Sequence, residues 1–212
     1  GDISKKEKDG YGVSKKNKGI ISKTNDKQLS LAIGVTGFDE MRHILDIPVD
    51  TNYTKMVNKM FFACVYWNAI VQSVQLSIID GPCEVFAGSP MSQGKFQFDL
   101  WADEFKLLKE NEELFGKVKY RKAEDDIPLD PKVWQQQPVN LYDKDNNLLE
   151  IVYPSWDSLR SCVMKYGMRN SLLTALMPTA SSSQIRRACE SFEVHQTNLY
   201  SRKVLNSNST VM

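Results

Sequence analysis

The segment of this sequence best suited to hold an anion is Met177-Pro-Thr-Ala-Ser-Ser-Ser-Gln184. It follows the apolar run Leu172–Met177, whose composition predicts a buried strand, and it leads into a helix expected to begin near Ser182. The first N–H groups of a helix have no acceptor within it, and the helix dipole favours negative charge there. The small hydroxyl residues Thr179, Ser181 and Ser182 let a phosphate come close and add donors of their own. In an α/β fold this position, past the carboxyl end of a strand, is where ligands sit. The same residues also suit an ordinary Ser/Thr helix cap, so chemistry alone leaves both readings open.

Other segments suggest chemistry less well. Gly34-Val-Thr-Gly37 is half of a dinucleotide-binding fingerprint and lacks the third glycine. Gly88-Ser-Pro-Met-Ser-Gln-Gly94-Lys95 has the outline of a triphosphate-binding loop. Its glycines are one residue too far apart, a rigid Pro90 sits inside it, and Phe96 stands where a hydroxyl must reach Mg²⁺. A structural turn fits it better. His43 and His195 have no recognisable nucleophile partner. His43 is expected as a partly exposed helix residue and His195 in a loop. Glu190 and Glu193 could pair as carboxylates, but that spacing is commonplace. Cys64, Cys83, Cys162 and Cys189 form no CxxC pair, which argues against zinc and for free thiols in a reducing, intracellular setting.

Composition narrows the class. The chain has 212 residues, 27 Lys+Arg against 26 Asp+Glu, and a formal net charge of +1. That balance argues against a chain built to neutralise nucleic-acid phosphates. With 42% hydrophobic residues a real core can form. No uninterrupted apolar run reaches about 18 residues, so no membrane span is expected. The N-terminus lacks the apolar stretch of a signal peptide, and the sequons at Asn52 and Asn208 read as chance matches.

The positioning elements follow from periodicity. Residues 1–28 are polar and rich in Lys and Gly, and read as a flexible segment. Leu31–Val35 could be a buried strand or a turn. Phe38–Leu45 has helical spacing, with Phe38, Met41 and Leu45 on one face. A long helix is expected from about Tyr53 to Asp80, capped by Asp50 or Thr51 and ended by Gly81-Pro82. Its middle is apolar nearly all round, which predicts burial between layers. Residues 83–100 read as loop and short strand, with a helix from Trp101 to Leu108. The charged, proline-bearing stretch 109–150 reads as a surface insertion. It contains a β-hairpin, Val139–Tyr142 with Leu148–Val152, around an Asp143–Asn147 turn. Ser155 or Asp157 opens a helix that places Trp156, Leu159, Val163 and Tyr166 on one face and ends at Gly167. Leu199–Leu205 is expected to be extended. The alternation suggests an α/β architecture.

Tyr166–Ile185 (YGMRNSLLTALMPTASSSQI) closely resembles the large, catalytic subunit of class I ribonucleotide reductases, in its eukaryotic and viral form. Glu190–Glu193 and Thr197–Leu205 continue the likeness. Upstream, Ala32–Phe38 is similar to the family's IGVQGLA, and Gly88–Gly94 to its EGSPxSxG. The resemblance implies an α/β fold in which residues 29–212 form the C-terminal portion of a ten-stranded α/β barrel. It implies that Thr179, Ala180, Ser181 and Ser182 hold the diphosphate of a ribonucleoside diphosphate. It also implies a cytoplasmic enzyme whose partners are the remaining part of the large subunit and a small subunit. A radical from that metal-containing small subunit, and a thiol reductant, would drive reduction to the deoxyribonucleotide. No metal, membrane or nucleic acid is expected to be bound by this chain.

The sequence departs from the family in several places. The NLCxEI segment with the radical cysteine, the reducing cysteine pair and the C-terminal tyrosine pair do not occur in these 212 residues. No catalytic residue is therefore assigned to this chain, and no ATP-cone sequence occurs in it. Arg186-Arg-Ala-Cys189 replaces a usually neutral polar segment, and Val194 stands in place of a proline. Two expectations result. The first is a segment of the reductase that supplies the diphosphate loop and is completed by residues outside it. The second is a reductase-like interaction or structural module without catalysis.

Overall fold

The structure is a computed structural model that describes residues 23–115, 122, 124 and 126–194. Its elements are α1 (Phe38–Ile44), α2 (Asn52–Asp80), α3 (Gln97–Glu110), α4 (Glu112–Phe115), β1 (Val139–Tyr142), β2 (Leu148–Val152), α5 (Trp156–Tyr166) and α6 (Ala180–Arg186). A further helical stretch covers 23–28. The chain divides into two units: residues up to Leu31 with Met56–Thr174, and Ala32–Lys55 with the chain from Ala175 onward.

The first unit is built around α2 from Met56 onward. At the start of the helix, in the second unit, the Thr51 hydroxyl accepts the Thr54 N–H at 3.1 Å, so Thr51 serves as the cap. Gly81, at φ +82°, follows the last turn. Trp67, Ile70 and Val74 are wholly enclosed. They share one core with Phe96, Leu141, Val152, Leu159, Val163 and Met168. By length and composition alone α2 is apolar enough to cross a membrane, a test that long core helices also pass. Asn68, Gln72, Ser73, Gln75 and Ser77 interrupt the run without making the helix polar. Several of them are used locally. Gln75 bonds both the N–H and the carbonyl of Tyr142, at 2.8 and 2.7 Å, and ties the hairpin to the helix.

That hairpin forms where the sequence placed it. Val139 pairs with Val152 and Asn140 with Ile151, with an irregularity between Leu141 and Tyr142. The Asp143 carboxylate accepts the N–H groups of Asp145 and Asn147 and closes the turn. It is not a surface appendage, however. Leu141 and Val152 are fully buried in the main core, because one face of the two strands is apolar and needs cover.

Helix α5 matches its pattern. Ser155 caps it by accepting the Ser158 N–H at 3.1 Å, and Leu159, Cys162 and Val163 are buried. Tyr66, Phe96, Phe98 and Trp156 pack ring to ring at 4.9–6.4 Å. The segment after α5 is anchored through Asn170. Ser73 donates its hydroxyl to Asn170 Oδ1 and accepts the Asn170 N–H, both at 3.0 Å, and Asn170 donates to the Leu29 carbonyl at 2.7 Å. Arg169 donates to the carbonyls of Asp80 and Gly81 at the end of α2.

Several expectations are corrected. Leu172–Met177 is not a strand among the described residues, and of the two readings open for Leu31–Val35 the strand does not form. Within the first unit Leu31 N–H donates to the Leu172 carbonyl, and within the second Ala175 N–H donates to the Ile33 carbonyl. Such isolated bonds do not make a ladder, and Leu31, Ile33, Leu172 and Leu176 are exposed. The described sheet has two strands. Residues 83–96 hold turns and a 3₁₀ turn, Met91–Gln93, rather than a short strand. Helix α3 begins at Gln97, four residues before its expected start, because the Asp99 carboxylate reaches back to the Phe96 N–H at 2.8 Å. Residues 195–212, with His195, Leu199–Leu205 and Asn208, lie outside the described residues.

Candidate functional site

The anion-binding candidate lies in the second unit. Helix α6 spans Ala180–Arg186, so it begins two residues before Ser182, and Thr179 is its N-cap residue. Thr179 does not cap with its side chain. Its Oγ1 instead accepts the backbone N–H of Ser191 at 2.9 Å. Thr179 is half-buried, and Ser181 and Ser182 are exposed. Ser183 points inward and is buried, with its hydroxyl donating to the Ala180 carbonyl at 3.3 Å. The three predicted hydroxyl residues are therefore at the start of one helix, with Ser181 and Ser182 open to solvent.

The surroundings are polar and tightly fitted. A Cβ on Gly34 would lie 3.0 Å from the Ala175 carbonyl oxygen, so the chain leading into the loop needs glycine at that crossing. The Gly37 N–H donates to the Cys189 carbonyl, and the Asp39 N–H reaches Cys189 Sγ at 3.3 Å. Cys189 N–H donates to Glu40 Oε1. Burial, with the Glu40 carboxylate beside it, pushes the Cys189 thiol above its ordinary range, so it stays protonated at neutral pH. In α1, Asp39 is fully enclosed and bound by Arg42 at 2.8 Å, and Arg42 also donates to the Ile47 carbonyl. The buried face of α1 is thus Phe38, Asp39 and Arg42, whereas Leu45, expected there, is exposed. An Arg–carboxylate pair that satisfies itself can be buried in place of apolar side chains. His43 is exposed as expected, with Nε2 at 3.4 Å from Asp39 Oδ2.

The other candidates resolve as structure. Gly88 and Gly94 turn the loop at φ +82° and +74°. Lys95, the residue a triphosphate would need, is paired with Asp103 at 2.8 Å. Arg160 reaches across to Asp99 at 2.7 Å and to the Gly94 carbonyl. A Cβ on Gly94 would come within 2.8 Å of Met164 Sδ, so that glycine serves packing. Glu190 and Glu193 belong to a turn closed by the Glu193 N–H on the Glu190 carbonyl. All four cysteines are free thiols, and burial raises the pKa of Cys83 and Cys162 as well. Among the described residues no group of three or more His, Cys, Asp and Glu side chains gathers as metal ligands would.

Sequence reasoning missed Ser191. It lies twelve residues after Thr179 and carries no motif that links the two. Its contact is made by the main chain, which composition and spacing do not report.

Comparison with known proteins adds the context. The sequence model of the family described as "Ribonucleotide reductase, barrel domain" matches residues 13–212. The chain is 34% identical over 182 residues to the ribonucleoside-diphosphate reductase large subunit of Plasmodium falciparum, covering 86% of this chain and 17% of that protein. It is 34% identical over 189 residues to the large subunit of Trypanosoma brucei brucei, covering 89% and 19%. It is 30% identical over 182 residues to the large subunit of Acanthamoeba polyphaga mimivirus, covering 86% and 16%. The chain thus spans less than a fifth of each of these relatives.

Proposed function

The chain belongs to the ribonucleotide reductase barrel-domain family, and on that premise we propose that it supplies the diphosphate cradle of a cytoplasmic ribonucleoside-diphosphate reductase. Thr179, Ala180, Ser181 and Ser182 hold the substrate's diphosphate. The observation that carries this reading is the Thr179 hydroxyl. It accepts from Ser191, so its own proton is left to donate. Ser181 and Ser182 stand exposed on the adjoining turn. The free N–H groups of the first turn of α6 add to the donor set.

In this reading the segment is part of a ten-stranded barrel completed by residues outside it. Its work is binding and orientation, which places the ribose for chemistry carried by other residues. The radical comes from a metal-containing small subunit and the electrons from a thiol reductant. The buried, protonated thiols Cys83, Cys162 and Cys189 are packing groups here, not the reductant.

The test uses the complete large subunit with its small subunit. Ser181→Ala and Ser182→Ala are each expected to weaken cytidine diphosphate binding about tenfold, the worth of one hydrogen bond to a charged group. Cytidine binding should be unchanged. Undiminished diphosphate binding in both variants would sink the assignment and favour the interaction-module reading. The 212-residue chain alone, which lacks NLCxEI, is expected to give no reductase turnover. Measured turnover from it would overturn the division of labour.

A further inference from the structure

Ser191 is held in an unfavourable state twice over. Its φ of +53° is the left-handed region, which serine rarely adopts. Its hydroxyl oxygen is buried with no hydrogen-bond partner among the described residues, and the residue is 4% exposed. A buried, unpaired hydroxyl destabilises a fold. The side chain therefore supplies no polar contact that would fix the residue in place. What Ser191 does supply is its backbone N–H, 2.9 Å from Thr179 Oγ1. Strained backbone of this kind persists where the surrounding structure imposes it, and it concentrates at ligand sites.

From these observations we infer that Ser191 is a positioning residue for the substrate diphosphate, acting through Thr179. A hydroxyl can accept and donate at once. With an N–H fixed on its oxygen, Thr179 is directed to donate its proton, and an anionic phosphate oxygen is the acceptor that suits it. The left-handed turn at Ser191 aims that N–H. Thr179 is thus a one-way donor, and Ser191 sets its direction without touching the ligand. This inference rests on the diphosphate reading above.

The experiment uses the complete large subunit and compares binding of cytidine diphosphate with cytidine, with melting temperature measured in parallel. Ser191→Asn, which tolerates the left-handed region, and Ser191→Ala, which keeps the N–H, should bind cytidine diphosphate within about twofold of the parent. Ser191→Val opposes that backbone and should weaken it about tenfold while leaving cytidine binding unchanged. Thr179→Val should lose as much, and Thr179→Ser should restore it. Adding Ser191→Val to Thr179→Val should cost nothing further, because the two act in series. Additive losses in that pair, or equal losses for cytidine and its diphosphate, would overturn the assignment. If Ser181→Ala and Ser182→Ala weaken diphosphate binding while Thr179→Val does not, the cradle stands and the role of Ser191 falls. If none of these variants weakens it, both fall.

Discussion

The two units of this chain are held by different forces. The first encloses Trp67, Ile70, Val74, Phe96, Leu141, Val152, Leu159 and Val163 in one apolar core. Its buried polar groups include Ser73 paired with Asn170 and Ser77 bonded to the Tyr166 carbonyl, set around a much larger apolar cluster. In the second, Phe38, Ile47 and Cys189 share the buried space with Asp39, Arg42, Ser183 and Ser191. Apolar burial is non-directional and scales with area, so the first unit gains stability from bulk. Hydrogen bonds and ion pairs add less net stability but fix direction. The candidate cradle is in the unit where direction counts.

Three substitutions or measurements would break or sharpen this contrast. The largest effect is expected from Leu159→Ala in the first unit. Leu159 is fully buried, and losing its side chain should destabilise that unit by about 4 kcal/mol in denaturant unfolding. A loss below about 1 kcal/mol would mean the core is loosely packed. Next is Asp39→Ala in the second unit, which strands Arg42 without its counter-charge. A loss of about 3 kcal/mol is expected. If Asp39→Ala is neutral while an Asp39→Ala/Arg42→Met double variant is destabilised, the ion pair is not what holds α1.

The smallest effect concerns the thiols. Cys83, Cys162 and Cys189 are buried and have raised pKa values, with burial as the main cause. Half-buried Cys64 should alkylate first at neutral pH, read by peptide mass spectrometry. The same shifts give a pH dependence. A folded thiol with a raised pKa keeps its proton after the unfolded chain has lost it. Its contribution is complete below the ordinary thiol pKa of about 8.5 and is lost as pH rises through the folded value. The melting temperature should fall as pH rises above the ordinary thiol pKa, less steeply in Cys162→Ala. Identical slopes in parent and variant would remove Cys162 from the account.

Much of α2 and of the first unit was legible because the signals are local. The Thr51 cap, the Gly81-Pro82 stop and the all-round apolar middle announce α2 before any packing is known. Ser155 and Gly167 bracket α5 in the same way. The hairpin was legible from its turn, but its depth was not. Leu141 is buried in the core it shares with Trp67, Ile70 and Val74, while Gln75 fastens the neighbouring Tyr142, and no periodicity within 139–152 records that. The expected strand at 172–177 failed for a related reason, and at 31–35, where strand and turn were both open, no strand forms either. Apolar composition favours extension, but a strand exists only where neighbouring backbone completes its hydrogen bonds.

The candidate site divides along the same line. The order of residues alone determined that Thr179, Ser181 and Ser182 are small, hydroxylated and at the mouth of a helix, and it carried the likeness to the reductase family. Only the tertiary structure decided that the Thr179 hydroxyl does not cap its own helix but accepts a distant N–H. Side-chain chemistry is written residue by residue, so it can be read from sequence. The direction of a hydroxyl proton depends on a main-chain contact across twelve residues and a left-handed turn at Ser191, and the folded chain sets both.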